Sequence, residues 1–489
     1  MIVKRGPARW RIPAGLTAIA LLVLALATTI IRGQASPVVR TIEMDQTVDD
    51  VAMDTSSGRV FIDTSHGNDT AMRVLDTRTG MLVRTIHAPD GPAELGVSAR
   101  TGHLFAARAT TYTASVRMLD LRSGALLHTV PIDPNPIAVL VQEQVGRVYV
   151  ASAGAGIGDA HGCSVPNSSV SILDTRSGLL LRRIHLTTGV NAIAVDERAG
   201  RAVVTSDNHC FMGPFSIGVL DVTSGRLPRT IPIPLRPTRV VMDEATGRAF
   251  VLTATPNPFG PTPNIGRVFV LNVRTGALIR SIPLGSPPTD IAVDERTGRV
   301  FVAVGDPSRI VSYTFPPANT GTSGSGMMSG SGMTRMATGL GTVQMLDARS
   351  GIVLRAVPVG VNPEAVAVDA RRGRIFVVNA GSTDGYATSG PTRVTIKAFL
   401  KAPGSVSLLD ATTGTVSRTI TLDTSPHAIA VDDAAGHAFV INYGSGVPLP
   451  IPDPWAWAPS WLRQRIPFAP PSSRTRIIPS SVSILDTTR

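Results

Sequence analysis

The chain has 489 residues, 43% of them hydrophobic and 4% aromatic, with two cysteines. Lys and Arg exceed Asp and Glu by eleven, and five of these cations (Lys4, Arg5, Arg9, Arg11, Arg32) precede residue 36, where no acid occurs, leaving a surplus of six. A surplus so modest and so scattered along the chain reads as a solvated surface and argues against nucleic acid as a partner, because a nucleic-acid footprint is clustered.

Residues 1–35 read as a targeting segment. A basic start precedes the apolar run IPAGLTAIALLVLALATTII (12–31), which is long enough to span a bilayer as a helix. The flanking positive charge places the N-terminus in the cytoplasm. The Gly-Gln-Ala that follows (33–35) also offers small residues to a signal peptidase, so an uncleaved signal anchor and a cleaved signal peptide both remain open. Either way residues 36–489 are expected outside the cytoplasm, held at the membrane in the first case and secreted in the second.

From residue 38 onward one pattern recurs eight times. In chain order its first halves centre on VAMD (51–54), LGVS (95–98), VLVQ (139–142), IAVD (193–196), VVMD (240–243), IAVD (291–294), VAVD (366–369) and IAVD (429–432). The clearest copy reads DIAVDERTGRVFVAV (290–304), a connector, GTVQMLDARSG (341–351) and IVLRAVPV (352–359). Each copy holds four short apolar, β-branched runs cut by glycine-containing turns, which is strand punctuation. Two turns share one chemistry, Asp294-x-x-x-Gly298 and Asp347-x-x-x-Gly351: glycine supplies a positive φ and the aspartate can bond the turn backbone. Four antiparallel strands per repeat predict an all-β, eight-bladed β-propeller over 36–489. The last copy, SVSILDTTR (481–489), lacks a fourth strand, and VVRTIEM (38–44) matches the fourth strands LLLRRIHL (179–186) and ALIRSIPL (277–284). The two termini are therefore expected to share the last blade, closing the ring and removing its open edges.

The SVSILD-type third strand, the second strands RVYVAS (147–152) and RIFVVN (374–379), and the proline-rich entry to the first strand resemble the YVTN-type, YncE-like family of bacterial β-propellers. The resemblance covers roughly 38–489, broken by insertions. It implies the propeller fold, offers seven blades as an alternative to eight, and keeps DNA binding among the family's activities. It implies no catalytic activity, because one fold hosts many functions.

Length variation falls on the connectors between second and third strands, with long insertions at about 305–340, 380–403 and 443–479. Recognition is expected on that face, since loops on a rigid scaffold carry function. Cys163 and Cys210 occupy equivalent connectors of neighbouring blades, and outside the cytoplasm a disulfide between them is the first expectation. Together with His161 and His209 they could alternatively offer ligands to zinc or copper, although the spacing matches no recognised site and no metal is expected. Trp455, Trp457 and Trp461 in the last connector can meet a protein partner or fold back as a lid. Residues just before each first strand should ring the channel mouth: Asp49, Asp50, Glu94, Asn191, Arg239, Asp290, Glu364 and His427. Such a ring suits a small polar ligand or a cation.

No Gly-x-Ser-x-Gly elbow, phosphate loop or His-Glu-x-x-His occurs, and no cofactor motif is present. The leading expectation is therefore a monomeric, non-catalytic propeller that binds a protein, polymer or small ligand through its long-connector face. The rival is a lactonase- or lyase-like enzyme using Glu364 and His427, on adjacent first strands, as an acid–base pair. A metal-binding or DNA-binding propeller is the further alternative.

Overall fold

The structure is a computed structural model that describes residues 38–488 apart from connector segments at 45–46, 67–68, 88–92, 110–112, 155–156, 160–161, 165–167, 197, 208–213, 256–264, 306–339, 391–392, 423–424, 444, 451–472 and 479. Eight four-stranded antiparallel sheets follow one another along it. Blade one is Thr47–Asp54, Arg59–His66, Asp69–Asp76 and Leu82–His87, numbered from the axis outward, and blades two to seven repeat that order. Blade eight is Ser425–Asp432, His437–Tyr443 and Ser481–Asp486, with Val38–Glu43 lying antiparallel along its outer edge. Each first strand contacts the first strand of the next blade, and Thr47–Asp54 also meets Ser425–Asp432 of blade eight. The blades thus surround a common axis, and there are eight of them, not seven.

The turns follow from their aspartates and glycines. In blade one Asp54 Oδ1 accepts the amides of Ser56 and Ser57 at 2.9 and 3.2 Å, and Asp76 Oδ1 accepts those of Arg78 and Thr79 at 3.1 and 2.9 Å. Gly58 and Gly80 close these turns with φ of 63° and 65°, a region costly for any residue with a Cβ. The two turns are then joined, Thr77 N–H donating to the Gly58 carbonyl at 3.0 Å, and the equivalent bond recurs in every blade through to Thr487 and Gly436. One end of the propeller is therefore a uniform set of locked turns, and all the variable connectors leave from the other.

The core is divided by seams. Each of the eight hydrophobic clusters joins residues of two neighbouring blades, as Phe61 and Val74 of blade one pack with Leu104 and Leu119 of blade two. A buried aromatic fills the same second-strand position in most blades, among them Phe250, Phe301, Phe376 and Phe439. No blade buries its faces alone, so stability belongs to the ring.

The positive surplus is not scattered, contrary to the reading along the chain. Arg40, Arg84, Arg182, Arg229, Arg280, Arg355 and Arg418 occupy one register position on the outermost strands, and His128 takes it in blade two. With Arg183 the outermost strands carry eight arginines against one acid, Glu43, a net of seven that exceeds the whole surplus of six, so the rest of residues 36–489 is slightly acidic. Counting by position in the chain hid this, because the cations lie a blade apart.

Candidate functional site at the channel mouth

The first strands begin at the long-connector end, and seven of the eight carry a β-bulge there. Only blade two pairs without a shift, Glu94 opposite Ala107. In five blades a proline (Pro136, Pro237, Pro288, Pro363, Pro426) stands just before the extra residue. Proline has no N–H for the ladder, so it belongs at a strand start or a bulge. The bulge divides the expected mouth ring into two classes. Asp49, Asn191, Glu364 and His427 are bulge residues, whereas Asp50, Glu94, Arg239 and Asp290 occupy the next, regularly paired position. The single ring read from sequence is thus two staggered tiers.

Several of these residues tie one blade to the next. Asn191 donates from Nδ2 to the Pro237 carbonyl of blade five. Arg239 Nε lies 3.2 Å from Asp290 Oδ1 of blade six. Asp290 Oδ2 accepts the Val366 amide of blade seven at 2.8 Å, and Thr289 Oγ1 donates to the Pro363 carbonyl at 2.7 Å. Burial pushes the Asp290 carboxyl above the usual carboxylate range, against the opposing pull of Arg239 and the backbone amides. Asn191 and Asp290 are therefore occupied structurally, while the Arg239 side chain remains 57% exposed.

Glu364 and His427 do meet. His427 Nδ1 is 3.1 Å from Glu364 Oε2 across the seam of blades seven and eight. Asn362, held at φ 55°, donates from Nδ2 to Glu364 Oε1 at 2.8 Å. The imidazole stacks on Tyr443, with ring centroids 4.2 Å apart and planes at 24°. His427 Nε2, the other ring nitrogen, has no hydrogen-bond partner among the described residues. The His427 side chain is 39% exposed. Tyr443 ends the second strand of blade eight, from which the hairpin Ser445–Pro450 and Ser473–Ile478 projects. Beside it, blade seven sends out the hairpin Ser382–Gly390 and Arg393–Ala402, and the strands Arg393–Ala402 and Ser445–Pro450 touch. Connectors expected to be irregular thus continue as paired strands.

The remaining expectations fall elsewhere. Cys163 lies in a short hairpin, opposite Gly158, while Cys210, His161, His209, Trp455, Trp457 and Trp461 lie outside the described residues, as do 1–37. Among the described residues no group of three or more His, Cys, Asp or Glu could hold a metal ion, and no helix is long and apolar enough to cross a membrane. One buried and one half-buried ion pair escaped the sequence reading. Arg108 Nη2 bonds Asp63 Oδ1 at 2.8 Å across the seam of blades one and two, and Arg236 Nε bonds Asp207 Oδ2 across that of blades four and five. Asp63 and Arg108 lie in second strands and Asp207 just after one, whereas Arg236 begins the first strand of blade five. A surface groove of about 570 Å³ between blades two and three, lined by His128, Leu180 and Arg183, is remote from the mouth.

No family model and no curated protein matches the chain. Solved structures do resemble it. Sqt1 of Saccharomyces cerevisiae is 7% identical, with 93% of this chain and 100% of that one covered, at a TM-score of 0.54. The dihydro-heme d1 dehydrogenase NirN, in complex with DHE, is 9% identical over 80% of this chain and 75% of that one, at 0.51. The Dos1 propeller is 10% identical over 68% and 75%, at 0.47. At these identities the likeness to Sqt1 and NirN speaks for fold alone.

Proposed function

We propose that the chain is an exported, membrane-anchored propeller of YVTN type that acts as a non-catalytic binding protein through its long-connector face. The observation that carries this reading is the placement of the half-buried His427, stacked on Tyr443, at the root of two paired hairpins from neighbouring blades. Rigid seams hold the polar groups of the mouth, and variable segments surround them, which is the division of labour of a recognition surface. His427 Nε2 and the Arg239 guanidinium supply the polar contacts; Trp455, Trp457 and Trp461 and a Cys163–Cys210 disulfide belong to the connectors above. Val38 pairs with Leu485 at the locked-turn end and Glu43 with Ser481 at the other, so the chain enters from the locked-turn end. An uncleaved anchor holds that end towards the bilayer, the recognition face pointing away, and the N-terminal strand closes the ring. The test is cross-linking of the full chain in its own membranes, with His427→Ala and Arg239→Ala. Loss of the adduct in both variants supports the reading, and an unchanged adduct defeats it.

One observation favours a second reading. A carboxylate on Nδ1 orients a histidine for proton transfer at Nε2, so the Glu364–His427 pair also suits a hydrolase or lyase. Turnover of lactone or uronide substrates that is lost in both His427→Ala and Glu364→Gln would establish it; no turnover in the parent chain would remove it.

A further inference from the structure

We infer that the outer rim of blades eight and one is a docking surface for anionic phospholipid headgroups. Val39, Met81 and Leu82 are 57, 53 and 54% exposed, Val39 and Leu82 near the start of their outermost strands and Met81 just before the second of them. They precede the register-equivalent arginines Arg40 and Arg84 in the chain. The two blades share one patch, because Arg40 lies against Gly80 and its Nη1 reaches Met81 Sδ at 2.8 Å. Apolar side chains beside guanidinium groups fit a lipid interface, where the former enter the acyl boundary and the latter bind phosphate. A nucleic acid would use the arginines and leave the apolar side chains in water.

The occupant follows from where the chain comes from, and here the inference rests on the anchor reading above. The apolar run ends at residue 31 and Val38 begins the rim strand of blade eight. Seven residues span at most about 25 Å. A chain anchored by 12–31 therefore holds this arc of the rim beside the bilayer, whereas Arg229 and Arg280 of blades four and five, in the same register, lie on the opposite side of the ring.

That eightfold equivalence supplies the control. Arg229 and Arg280 lie against Gly276 and Gly351 as Arg40 lies against Gly80, so Arg229→Gln/Arg280→Gln is the register-matched control for Arg40→Gln/Arg84→Gln. The full chain is reconstituted in vesicles of phosphatidylcholine and of an equimolar mixture with phosphatidylglycerol, and hydrogen exchange of 38–43 and 82–87 is compared with that of 229–233 and 277–283. Phosphatidylglycerol is expected to slow exchange in the first two segments only. Arg40→Gln/Arg84→Gln should shift that docking equilibrium by about 30-fold and the control pair should not. Equal effects in both arcs, persistence in Arg40→Gln/Arg84→Gln, or slowing reproduced by duplex DNA without lipid would overturn the proposal. Alkaline carbonate extraction of the same vesicles tests the anchor separately. A chain that stays without lipid-dependent slowing refutes the rim alone, and a chain released from vesicles that nevertheless show the slowing refutes the anchor alone.

Discussion

Arg108 and Asp63 are joined at 2.8 Å in the seam between blades one and two, with their side chains 2% and 0% exposed. Arg108 comes from the second strand of blade two and Asp63 from the second strand of blade one, each just below a connector. Arg108→Ala removes a buried cation from beside the buried Asp63 carboxylate and should cost about 3–5 kcal/mol. The double variant Asp63→Leu/Arg108→Met should recover most of that loss. Denaturant midpoints of the parent and both variants check it.

The locked turns give acid stability a definite sign. Backbone amides three residues on, Ser177, Ser350 and Thr413, hold Asp174, Asp347 and Asp410 below the usual carboxylate range, aided by the same residues' hydroxyls. A depressed folded-state pKa contributes stability that is present above the unfolded value, about 3.9, and is lost as pH falls through the folded value. The thermal midpoint should therefore be steady at mildly acidic pH and decline below about pH 4. Blade five already uses Asn272 in this turn, its Oδ1 accepting the Thr275 amide at 3.0 Å. Replacing the turn aspartates with asparagine should keep the fold at neutral pH and flatten the decline.

Asp290 has the opposite sign. Its raised pKa means that the folded chain binds the proton more tightly, so its contribution is full below the ordinary aspartate value and is lost as pH rises through the raised one. Asp290→Asn should remove that dependence while its carbonyl still accepts the Val366 amide. Asp290→Ala leaves that buried amide unpaired and should cost about 1–3 kcal/mol, more than the asparagine variant at pH 7. Thermal melts across pH distinguish the two.

Pairing of Val38–Glu43 with Ser481–Asp486 supplies the outer strand of blade eight. A chain beginning at residue 45 should melt at lower temperature than one beginning at residue 36 and should self-associate through the bared edge. Identical melting curves and elution volumes would show that the strand is dispensable.

The eightfold pattern was legible because turn chemistry is local. Asp294 and Gly298 announce their turn wherever the chain places it, and Glu364 and His427 could be paired because both stand at the start of first strands of adjacent repeats. Registration was not legible. A bulge shifts the ladder by one residue, so Asn191 and Arg239, which looked equivalent, stand in different tiers. Nor was the belt of Arg40, Arg84 and their counterparts, although each except Arg40 follows its turn glycine at a fixed distance; its meaning depends on eight distant strands being brought to one rim. Asp63 and Arg108 were hidden for the same reason, being partners only across a seam.

The most direct test of the central claim compares two faces of one molecule. A photo-cross-linking residue is placed at Tyr443, on the long-connector mouth, or at Val145, in a locked turn of the opposite end, and the full chain is irradiated in its native membranes. Recognition through the long-connector face predicts a discrete protein, polymer or small-molecule adduct from position 443, lost with His427→Ala, and none from position 145. An adduct of that kind from position 145 alone, or equally from both, would contradict it.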